Sequence, residues 1–85
     1  NTLDIEGLHL NKAAEENISG FKESVDVDDY DDHKLHIAEH TRFLLSTESE
    51  AMRKDERRKK NALEHLRLHK LALKAEETAW AETNN

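Results

Sequence analysis

Between residues 33 and 45 the apolar positions follow a helical period. At about 100° per residue, Phe43, His36, His40, His33, Leu44, Ile37, Thr41, Leu45 and Ala38 fall around one side, leaving Glu39, Arg42 and Leu35 to the rest. The histidines therefore flank the apolar stripe. Asp31 or Asp32 supplies the N-cap, placing negative charge at the positive end of the helix dipole. Ser46 and Thr47 mark a turn, and Thr47 with Glu50 has the form of a capping box. No Gly or Pro interrupts residues 48–82, which predicts one continuous helix ~50 Å long. Leu63, Leu66, Leu73 and Trp80 form one stripe along it, and Leu68, Ala72, Ala75 and Ala79 a second.

Upstream the pattern is weaker. Leu3, Ile5, Leu8 and Leu10 alternate with polar residues around Gly7, as in a short strand or an irregular apolar anchor. Residues 11–20 predict a helix of about two to three turns, capped by Asn11 and ended by Gly20 in a left-handed conformation. Residues 21–32 contain five aspartates and no helical period, and read as an extended, solvated segment. The expected organisation is an anchor and short helix over 1–24, an acidic linker over 25–32 and a helical hairpin over 33–85. The fold class is all-α.

Composition sharpens this reading. At 35% hydrophobic and 38% charged residues, with no cysteine, the chain resembles an exposed helical array needing neighbours more than a self-sufficient core. The predicted second helix is too short to cover the long one, so Leu63, Leu66, Leu73 and Trp80 are expected to pack on other copies. Residues 1–32 carry ten acids and two bases, whereas residues 33–85 carry nine and eleven. The chain opens on Asn1, which reads as a piece of a longer polypeptide or a processed product. No apolar run suits a membrane span, and a soluble, intracellular chain is expected.

Two clusters invite chemistry. His36 and His40, like His65 and His69, are four residues apart and so share a helical face, as in helical zinc sites. In a tight hairpin turning at Ser46–Thr47, however, His40 would face Arg53 and His36 would face Arg57, leaving His65 and His69 beyond reach. The expectation is structural histidines with no metal and no cofactor. An intersubunit metal site or a histidine-rich metal-binding module is the alternative. The basic run Arg53, Lys54, Arg57, Arg58, Lys59 and Lys60 could contact nucleic-acid phosphates, against the simpler reading of a solvated face. No phosphate loop, nucleophile elbow or HExxH appears, and no enzyme is expected.

Glu16, Asn17 and Gly20, the acidic segment, then Asp32, His33, His36, His40, Phe43 and Ser46 resemble the C-terminal region of tailed-bacteriophage portal proteins. Residues 62–70, ALEHLRLHK, are similar to a later helix of that region. The resemblance covers residues 13–70. It implies a ring, commonly of twelve copies, at a capsid vertex, in the virion and, during assembly, the host cytoplasm. Double-stranded DNA would pass through it, with capsid, terminase and head–tail adaptor proteins as partners through the rest of the chain. His33, His36, His40 and Phe43 would be assembly residues. A scaffolding or head-morphogenesis coiled coil is a further alternative.

Overall fold

The computed structural model describes residues 4–84, and all regular structure among them is helical. Helix α1 spans Ile5–Ser19 and α2 spans His33–Leu45. A 3-10 turn at Thr47–Ser49 leads into the short α3, Glu50–Arg53, and α4 spans Glu56–Thr83. Leu3 lies outside the described residues.

Helix α1 starts six residues earlier than the sequence pattern suggests. The Asp4 carboxylate accepts a hydrogen bond from the Gly7 N–H and caps the helix, so the stretch read as strand or anchor is its first two turns. At the other end Gly20 adopts φ +71°, as expected, and Phe21 follows at φ +54°. Two successive left-handed residues, one of them bulky, reverse the chain abruptly. Arg58 Nε donates to the Gly20 carbonyl at 2.8 Å and Asn61 Nδ2 to the Phe21 carbonyl at 3.0 Å, which pins this reversal to α4. Phe21 is 1% exposed and joins Phe43, Met52 and Ala62 in a small core edged by Val25 and Leu44.

The acidic segment is docked instead of solvated along its length. Val25 packs on the core, Asp31 is buried, and Lys12 bridges Asp28 and Asp31. Lys12 at one end and α4 at the other turn this segment into a strap across the bundle.

The predicted continuous helix over 48–82 is broken. Thr47 makes no side-chain cap, and Asp55 is the residue that begins the long helix, accepting hydrogen bonds from the backbone N–H groups of Arg57 and Arg58. Because the connection between α2 and α4 runs from Ser46 to Asp55, the hairpin is wider than a tight turn allows. The register consequently pairs His36 with His69 and His40 with His65, with ring centroids 4.5 and 4.9 Å apart. The expected facing of His40 with Arg53 and His36 with Arg57 does not occur.

Candidate metal centre

His33, His36 and His40 recur on one face of α2, and His65 and His69 on the facing side of α4. Glu16 enters from the last turn of α1. All five imidazoles are buried, at 0–3% exposure. Glu16, His36, His40, His65 and His69 each offer a ligand atom within 4.8 Å of all the others. The site excluded for a single chain on the basis of a tight turn is thus assembled within one chain.

Glu16 Oε1 is the hub. It lies 3.3 Å from His36 Nδ1, 3.0 Å from His40 Nε2 and 3.2 Å from His65 Nε2. His65 Nε2 is in turn 3.1 Å from His69 Nε2.

The outer nitrogens decide what the inner ones present. The Asn17 amide nitrogen donates to Glu39 Oε2 at 3.1 Å, which turns the Asn17 oxygen toward His40 Nδ1 at 2.8 Å. An amide oxygen only accepts, so His40 carries its proton at Nδ1. His65 Nδ1 lies 2.8 Å from the Val25 carbonyl and is likewise protonated there. His69 Nδ1 lies 2.8 Å from His33 Nδ1, and the negative Glu76 carboxylate, 3.4 Å from His33 Nε2, favours the His33 tautomer protonated on that outer nitrogen. His69 is then the donor in the pair. In their neutral forms His40, His65 and His69 would each leave Nε2 bare, in a cluster where their ligand atoms and that of Glu16 lie within 4.8 Å of one another. His36 is 0% exposed and neither of its nitrogens finds a hydrogen-bond partner, an expensive arrangement for a buried ring.

The electrostatics follow from this crowding. Burial acts to raise the Glu16 carboxyl, but the imidazoles of His36, His40 and His65 outweigh it and hold it well below the usual carboxylate range. Burial pushes His69 down to about 3, helped by charge on its histidine neighbours. Burial also lowers His40, against the pull of Glu16. His65 is raised: burial opposes its charge, but the bonds to Glu16 and the Val25 carbonyl prevail. Among the cluster's histidines, His65 is the one whose charged form Glu16 and the Val25 carbonyl favour over the free imidazole.

A pH dependence follows. His40 and His69 have depressed values, so the stability they contribute is present above the unfolded histidine value near 6.5 and is lost as pH falls through their folded values. His65 has the opposite sign, its contribution being full below that value and lost as pH rises through its folded value. Two groups against one make acid the more damaging direction. In EDTA, the urea-unfolding free energy should fall by about 1–3 kcal/mol per pH unit below pH ~6. A profile flat from pH 7 to 5 contradicts the assignment.

The other residues singled out in the sequence divide. Phe43 and Leu66 are buried in their own chain, at 7% and 8% exposure, as are His33, His36 and His40, so none is free to pack on another copy. Leu73 is half-buried. Leu63 and Trp80 remain exposed. In the basic run, Arg53 bonds to Ser49 and Ser46, and Arg58 to Gly20, so both brace the fold. Arg57 lies 3.9 Å from Glu23, while Lys54, Lys59 and Lys60 face solvent. Glu16 and Asn17 were legible in the sequence only through the portal resemblance, and the role of the Val25 carbonyl carries no sequence signal at all.

The fold and the site define an all-helical protein whose three longest helices are knotted by a buried histidine–carboxylate cluster. No family model matches the chain, and neither a curated protein nor a solved structure matches it. No helix among the described residues is long and apolar enough to cross a membrane.

Proposed function

We propose that this chain is a non-enzymatic assembly module of the kind found in the C-terminal region of tailed-phage portal proteins, packing with copies of itself in a ring around a DNA path. The observation that carries the reading is the free end of α4. From Lys74 to Asn84 every residue is exposed, Trp80 at 68%, and Leu63 and Leu71 are about half exposed nearer the hairpin. An isolated helical extension of this length is marginal in water, and an exposed tryptophan on it suits an interface anchor.

A second observation supports the reading. The residues that carry the portal resemblance have tasks in one place: Glu16 at the hub, Asn17 orienting His40, Gly20 reversing the chain, Asp32 capping α2, the histidines in the knot, Phe43 in the core and Ser46 ending α2. In this chain that pattern specifies a folded knot. In this reading Lys54, Arg57, Lys59 and Lys60 are the bases left to meet DNA phosphates, and capsid, terminase and adaptor proteins are partners of the longer polypeptide.

Electron microscopy of the full-length gene product tests it: rings with a central channel are expected. A closed dimer or tetramer with no channel would favour a scaffolding coiled coil instead. Trp80→Asp should leave the monomer's unfolding free energy within about 0.5 kcal/mol, because the side chain touches little within the chain, yet should break the rings. Intact rings of the variant would remove Trp80 from the interface.

A further inference from the structure

We propose that Glu16 Oε1 and the Nε2 atoms of His40, His65 and His69 coordinate one divalent first-row transition-metal ion such as zinc, with His36 Nδ1 as an additional ligand. This goes beyond the assembly reading and stands without it.

The spacing of the donors is the first argument. Around an ion with bonds of about 2.0–2.1 Å, tetrahedrally placed ligand atoms lie roughly 3.3 Å from one another. Glu16 Oε1 is 3.3, 3.0 and 3.2 Å from its three imidazole neighbours, and His65 Nε2 is 3.1 Å from His69 Nε2. These are the edges of a coordination polyhedron that needs little movement to close.

The direction of the lone pairs is the second. Metal-binding histidines characteristically donate the remote N–H to a carbonyl or carboxylate, which fixes the tautomer and aims the other nitrogen. Here the Val25 carbonyl does so for His65, the Asn17–Glu39 pair for His40, and the His33–Glu76 pair for His69. In those neutral tautomers three bare nitrogens and a carboxylate, crowded within 4.8 Å of one another, repel unless a cation lies between them.

His36 is the third. Glu16 Oε1 lies 3.3 Å from its Nδ1 and Asp31 Oδ1 3.8 Å from its Nε2, yet neither makes a well-formed hydrogen bond to this fully buried ring, whereas a metal gives Nδ1 a bond. The donor set of imidazoles with one carboxylate and no thiolate suits zinc, iron, nickel or cupric ions, and not calcium or magnesium. Because the ligands come from α1, α2 and α4, the ion staples a chain that has no disulfide and a small apolar core.

The test uses the whole chain, stripped with EDTA and dialysed. Zinc should bind at one ion per chain by native mass spectrometry, with Kd of about 1 μM or tighter, and should raise the unfolding temperature. Cobalt should give a saturable visible d–d absorption at one equivalent. His65→Ala/His69→Ala should abolish both, whereas Trp80→Ala should retain both. X-ray absorption of the zinc-loaded wild-type chain needs no variant and should show an all-nitrogen/oxygen shell with at least three imidazoles. No binding at stoichiometric zinc overturns the proposal, as do a shell with fewer than three imidazoles and undiminished binding by a folded double variant.

Discussion

Phe21→Ala should destabilise the chain by about 3–5 kcal/mol, the range for truncating a buried aromatic side chain. Phe21 is 1% exposed and its ring meets His40 edge-on and His65 at a tilt, each at a centroid distance of 5.6 Å. It is the apolar lid on one side of the histidine cluster as well as a member of the small core. Alanine at φ +54° keeps the left-handed strain and loses the packing that holds it, so strain relief will not offset the loss. Urea unfolding followed by circular dichroism measures the change. A loss under 1 kcal/mol would mean that the reversal at Gly20–Phe21 does not hold the site together.

Glu16→Ala should cost about 3 kcal/mol in the metal-free chain, in line with the removal of one partner from a buried charged pair. The carboxylate oxygen lies within 3.3 Å of three imidazole nitrogens and favours the charged form of His65; without it that support is lost and the His40 and His65 Nε2 atoms are left facing each other. The neighbouring Glu15 is exposed, and Glu15→Ala should change stability by less than about 0.5 kcal/mol. Urea unfolding of the two variants side by side in EDTA separates the hub from a general loss of negative charge. Equal effects would remove Glu16 from its central role.

The helical class was legible because α2 carries a full set of signals: Asp32 as cap, a 3.6-residue period, and Ser46 at its end. Gly20 as a left-handed terminator was legible for the same reason, a local conformation demanding a particular residue. The interruption between α3 and α4 was not, because no Gly or Pro marks it. Asp55 caps from inside a charged run, where its side chain is as easily read as a partner for nearby arginines. That single misplacement shifted the hairpin register and moved His65 and His69 away from His36 and His40. The spacing of each histidine pair had correctly placed two rings on one face of each helix, but which faces meet is set by the length of the connection. Leu66, expected at an interface, is buried within the chain by the same shift, whereas Trp80 lies far enough along α4 to stay exposed.

The most direct measurement of the central claim, that outer acceptors turn bare nitrogens inward, is long-range proton–nitrogen NMR of the histidine rings. It is made in EDTA at a pH above the imidazole range, where all rings are neutral. His40, His65 and His69 should each carry the proton on Nδ1 and leave Nε2 bare. Protons on the Nε2 atoms of these residues would mean that the cluster is an ordinary hydrogen-bonded core, with nothing at its centre for a cation to satisfy.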